Sequence, residues 1–160
     1  SRGLGDVYKR QVKIAIHPQD PPIPESKYRW TVGFLGWNRI FEAVPSRNIG
    51  VLYCCGTRRE AGANIYEEIR YLGGRGKIFH VHLRNVRGSL PRTGSYEEVA
   101  VDDGEMNLYE ILKTLKEVGY EGAVNPDHIP RYIGDSPTNN VAWAYAAGYV
   151  KGLLAALNNT

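Results

Sequence analysis

Four residues able to bind a metal ion stand at the C-terminal ends of short apolar runs. His17 follows VKIAI, Cys54 follows GVLY with Cys55 beside it, His82 lies within KIFHVHL, and Asp127 lies within GAVNPDH. One imidazole, one thiolate, a second imidazole and a carboxylate form a donor set for a divalent ion that leaves positions open for a substrate. The four are separated by 37, 28 and 45 positions. Each interval can hold one strand, one helix and two loops, the repeat of a βα unit. Parallel strands deliver their C-terminal ends to one face, so the spacing predicts a catalytic metal site on a βα scaffold.

The neighbours of these residues sharpen the pattern. Successive strand residues point to opposite faces, so only one of Cys54 and Cys55 can turn toward a site. His80 and His82 share a face by the same period; His82 is nearer the strand end, and His80 reads as a deeper core or supporting group. Arg84 and Asn85 follow on that strand and are candidates for substrate binding. The Arg84 guanidinium suits a bidentate pair with a carboxylate. Asp20, in a proline-rich loop after His17, is a weaker candidate for a substrate hydroxyl or a supporting contact. His128 must point away from its neighbour Asp127, which makes it a candidate proton carrier. Asp102, Asp103 and Glu105 read as a solvated loop and helix start, where acids suit the helix dipole.

The elements that must position these groups alternate in type. Residues 12–16 read as a strand, and four prolines among residues 18–24 forbid regular structure there. A weak helix is expected over 37–44, a continuously apolar strand over 50–55, and a helix over 59–72 closed by Gly73-Gly74. A strand over 77–86 is followed by a polar loop over 87–104, long enough to be functional. An amphipathic helix over 106–118, a strand around 122–124 and a final helix over 139–157 complete the order. Strict β-α alternation predicts an α/β fold with a parallel sheet. Four βα units amount to half of a (β/α)8 TIM barrel, which needs about twice this length. No strand is followed by a GxGxxG or Walker loop, so nucleotide folds are disfavoured.

Composition bounds the function further. Residues 6–11, DVYKRQ, translate GATGTGTATAAGAGACAG, a transposase end sequence used in sequencing libraries, so residues 1–11 read as an adapter-derived scar and 12–160 as a partial barrel domain. The formal net charge is +3; removing the scar's net +2 leaves +1, and a nucleic-acid partner is not expected. No apolar run suits a membrane span. Two adjacent cysteines exclude a disulfide framework and point to a reducing, cytoplasmic setting. Homo-oligomer formation is left open.

The strings IHPQDPP, FEAVPSRNIGVLYCCGT, FHVHLRNV, EVAVDDGEMNLYEILKTLKEVGYEGAVNPDH and AGYVKGLL together resemble the mannonate dehydratase family. The resemblance covers about residues 12–155 and matches the C-terminal half of a family member, with HxxDPP and HxRNV its sharpest strings. It implies a barrel related to the xylose isomerases and a lyase that dehydrates D-mannonate to 2-dehydro-3-deoxy-D-gluconate with Mn2+ or Fe2+. Softness rules alone would suit zinc or iron. It maps the metal ligands onto His17, Cys54, His82 and Asp127, thereby selecting Cys54 over Cys55, and leaves His128 as a base for the C2 proton. The family's usual Cys-Thr-Gly-Ser is Cys54-Cys55-Gly56-Thr57 here. The Arg before its Pro-Asp-His triplet and the Gly after it are Asn125 and Ile129. These departures bear on the substrate more than on the metal. A sugar isomerase or epimerase of the same superfamily, and a metal-binding fragment without turnover, are the alternatives. Half a barrel by itself is expected to be inactive.

Overall fold

A computed structural model of the chain describes residues 12–22, 33–90 and 95–159. Residues 1–11, read as adapter-derived, lie outside the described residues, as do 23 and 24 of the proline loop. Four strands form one parallel sheet: β1 (Ile14–Ile16), β2 (Ile49–Cys54), β3 (Ile78–Leu83) and, after an intervening hairpin, β6 (Val124–Pro126). Their order is β1-β2-β3-β6, so each parallel strand lies beside its predecessor, as successive βα units of a barrel do. Among the described residues, β1 and β6 are the edges. The helices are α1 (Phe34–Ala43), α2 (Cys55–Glu60), α3 (Ile65–Gly73), α4 (Leu108–Glu117) and α5 (Asn140–Asn158).

The two faces of the sheet differ because strand side chains alternate. Val51, Tyr53, Val81 and Leu83 are fully buried, in one core with Ile69 and Leu72 of α3 and Ile111, Leu112 and Leu115 of α4. Leu52 pairs in register with His80, and Cys54 with His82, along the opposite and more open face. Each buried Leu or Ile contributes about 1.5–3 kcal/mol by leaving water, so the helix-covered face supplies the stability and the other face is free to carry chemistry.

Three elements differ from the sequence expectation. The single helix expected over 59–72 is two helices. Gly62, at φ +78°, turns the chain, and the Asn64 side chain restarts it by accepting from the Glu67 N–H. The strand expected to run to residue 86 ends at Leu83. Asn85 begins β4 (Asn85–Gly88), which pairs antiparallel with β5 (Tyr96–Val99) in the segment expected to be loop. Helix α1 begins at Phe34, earlier than expected. The remaining strands and helices fall close to their expected places.

Candidate metal centre

The parallel register builds the centre directly. Cys54 ends β2 and lies opposite His82 of β3, whose other neighbour is Asn125 of β6, two residues before Asp127. His17 directly follows β1, whose Ile16 is level with Val51. One ligand atom each from His17, Cys54 and His82 therefore falls within 4.8 Å of the others. Asp127 Oδ2 adjoins this group, 3.3 Å from His82 Nδ1 and 3.8 Å from Cys54 Sγ. Adjacent Cys55 starts α2 and is buried in the core.

The surroundings suit a cation. His82 Nδ1 is buried with no hydrogen-bond partner, an arrangement that costs free energy unless something binds it. Burial alone would raise the Cys54 thiol. Hydrogen bonds with His17 and His82, the Arg84 charge and the Thr57 hydroxyl outweigh burial and bring it down to about 6. The His17 imidazole is raised in turn, chiefly by its hydrogen bond with Cys54 and against the effect of its burial. Two imidazoles and a low-pKa thiol, with a carboxylate alongside, fit a divalent transition metal.

Arg84 and Asn85, expected to contact substrate, are both buried and engaged with other groups of the chain. The Arg84 side chain is completely buried. Its fork is paired with the equally buried Glu60, and its nitrogens lie 3.1 Å from Asp20, 3.1 Å from Glu98 and 3.5 Å from Asp127. Four carboxylates thus surround the guanidinium, although its Nε makes no hydrogen bond among the described residues. Burial would weaken its charge, but Glu60 and the surrounding anions raise its pKa well above the ordinary arginine value. Asn85 donates to the carbonyls of Val101 and Met106 and accepts from the N–H groups of Val86 and Met106. That amide fastens the hairpin and the following loop.

Asp20 accepts from Thr57 Oγ1 at 3.1 Å and from Arg84, which places it behind the ligands. His128 does not turn away from Asp127 as expected: in a left-handed conformation, φ +44°, it keeps Nε2 4.0 Å from Asp127 Oδ2, while its Nδ1 lies 2.7 Å from Glu98 Oε1. That hydrogen bond raises the imidazole's pKa despite partial burial. His80 lies behind His82, ring centroids 5.5 Å apart.

Glu60, Thr57 and Glu98 are the participants that sequence reasoning missed. Glu98 sits on the unexpected hairpin, and only the alternation of YEEV hints at a strand there. Glu60 and Thr57 lie on a helix turn whose start at Cys55 no capping signal marks. Two surface hollows of about 460 and 370 Å3 lie elsewhere, one between α3 and the residue 105–106 loop and one below the N-terminal end of β3. Neither contains a metal ligand, so the chemistry is assigned to the open strand ends rather than to the hollows.

Comparison with known proteins agrees with this geometry. The family model described as D-mannonate dehydratase (UxuA) matches residues 7–160, reaching into the segment read as adapter-derived. A mannonate dehydratase of Thermotoga petrophila is 32% identical over 164 residues, covering 92% of this chain and 42% of its own length. Mannonate dehydratase 2 of Halalkalibacterium halodurans is 31% identical over 126 residues, covering 73% of this chain and 34% of its own. The crystal structure of mannonate dehydratase from Streptococcus suis serotype2 superposes with a TM-score of 0.83 at 26% identity, covering 96% of this chain and 46% of that one. A xylose isomerase domain protein from Alicyclobacillus acidocaldarius, 18% identical with a TM-score of 0.74, covers 97% of this chain and 55% of its own and shares the fold. The chain thus spans under half the length of the curated relatives it matches, and across that span it belongs to the D-mannonate dehydratase family.

Proposed function

We propose that this chain forms the metal-binding part of a lyase that removes water from D-mannonate to give 2-dehydro-3-deoxy-D-gluconate. The observation that carries the reading is the convergence of His17, Cys54 and His82, with Asp127 beside them, in a chain of this family. These residues would hold Mn2+ or Fe2+, which supplies Lewis-acid stabilisation of the negative charge that develops when the weakly acidic C2 proton leaves. His128 is the base in this reading. Its Nδ1 hydrogen-bonds Glu98, and Nε2, which makes no hydrogen bond among the described residues and lies 4.0 Å from Asp127 Oδ2 on the metal side, would take the C2 proton. The C3 hydroxyl would gain a proton from a general acid and depart as water as the C2–C3 double bond forms, and the resulting enol tautomerises to the 2-keto acid. Two unpaired, buried cysteines suit the reducing cytoplasm.

The chain's enclosing partner segments are part of this proposal, because the curated relatives are more than twice as long. The test is a coupled assay for 2-keto acid with D-mannonate and Mn2+, using this chain joined to the N-terminal half of a family member. Product formation that depends on metal and on His128 is expected. A protein with metal bound and no keto-acid product would sink the dehydratase reading. Product of unchanged mass would favour the isomerase reading instead.

A further inference from the structure

Asp127 is a contested carboxylate. Its Oδ2 is 3.3 Å from His82 Nδ1 on the metal side and 3.5 Å from Arg84 Nε on the other. That Nε is buried and has no hydrogen-bond partner among the described residues, so it has every reason to close on Asp127. Glu60 opposes the movement. Its carboxylate, completely buried on the last turn of α2, clasps Arg84 Nη1 and Nη2 together. Thr57 Oγ1, 3.0 Å from Nη2, adds a second tether from the same helix. Gly56 makes room for the arrangement: a Cβ there would overlap Arg84 Cγ, Nε and Cζ. The arginine is thus held on α2, with Asp20 and Glu98 also on its terminal nitrogens, and its approach to Asp127 stops at 3.5 Å, short of a hydrogen bond.

We propose that Glu60 is a positioning residue of the metal centre, which acts through Arg84 to keep Asp127 available to the ion. The proposal rests on the metal reading above but does not need the substrate to be D-mannonate. Buried carboxylates that orient ligands from outside the coordination sphere change metal affinity by about 10–100-fold when altered.

The test is a titration of the chain with Co2+, followed by the thiolate-to-cobalt absorption that reports Cys54. Four proteins are compared: the unsubstituted chain, Glu60→Gln, Asp127→Asn and the double variant. Far-UV circular dichroism checks that each is folded. In the Glu60→Gln variant Arg84 loses its clasp and closes on Asp127, and Co2+ binding weakens by about tenfold. In the Asp127→Asn background the contested charge is already gone, so Glu60→Gln weakens binding no further. Equal weakening in both backgrounds would show a merely structural role and overturn the proposal, as would no weakening in either. If Glu60→Gln does not fold, Glu60→Asp retains the charge one methylene further back. A smaller loss that again vanishes with Asp127→Asn is then expected, and the same two results overturn it. A chain that binds no Co2+ at all refutes the metal reading, which separates the two failures.

Discussion

Cys54 and Cys55 are adjacent in sequence and opposite in surroundings. Cys54 closes a strand, shares a face with His82 and is drawn toward the thiolate by its hydrogen bonds with two imidazoles. Cys55 opens a helix into the apolar core, where burial raises its thiol well above the usual range. The two serine variants should therefore separate. Cys54→Ser replaces a soft thiolate with a poor ligand and is expected to strip metal to a small fraction of stoichiometric, measured by inductively coupled plasma mass spectrometry, with little change in thermal midpoint. Cys55→Ser places a hydroxyl among apolar side chains and is expected to cost about 1–3 kcal/mol of stability with metal content intact. Loss of metal from Cys55→Ser rather than Cys54→Ser would reverse the assignment. At this scale the convergence of His17, Cys54 and His82, with Asp127 alongside, was legible because each stands near the end of an apolar run, a purely local signal. The setting of Arg84 was not legible because its partners are remote in sequence: Asp20 is 64 positions away and Glu60 is 24. Nothing adjacent to Arg84 announces these partners.

The parallel strands could be read from the sequence because a strand buried against helices must be continuously apolar, as GVLYCC is. The hairpin β4–β5 could not, since its arms are half-polar and short, and its place is fixed by Asn85 reaching across to Val101 and Met106. The break between α2 and α3 had a readable mark in Asn64 three positions before Glu67, the same capping pattern that Asn107 and Glu110 make at α4. Helix α5 is held differently. Burial would raise the Asp135 carboxyl, but N–H groups of Ala142, Val141 and Ser136 donate to it and hold its pKa below the usual range. A depressed folded value means that this contribution is complete above the unfolded pKa, about 4, and is lost as pH falls through the folded one. Asp135→Ala is expected to lower the thermal midpoint by about 2–4 °C at neutral pH. The difference should narrow as the pH is taken below about 4. A difference that stays constant across that range in scanning calorimetry would remove Asp135 from this role.

At the level of the whole molecule, the sheet has two edges, β1 and β6, each with one neighbour among the described residues. Unpaired parallel edges and a half-open inner face are templates for pairing with further strands. Produced as it stands, the chain is expected to self-associate with rising concentration in sedimentation velocity. Supplying the N-terminal half of a family member should suppress that association. A monodisperse monomer at every concentration would argue that the edges are already protected. The ligand positions carry one more consequence. His17 and Asp127 lie at opposite ends of the described sheet in sequence, and each proposed ligand stands in or just after a different strand. No single βα unit can therefore hold the ion, and the unfolded chain offers it nothing comparable. Metal occupancy and folding become one linked equilibrium, in which free ion above its dissociation constant adds stability in proportion to the logarithm of its concentration. The proposed metal centre would thus work as a clasp on tertiary structure, cooperative over the full breadth of the described sheet.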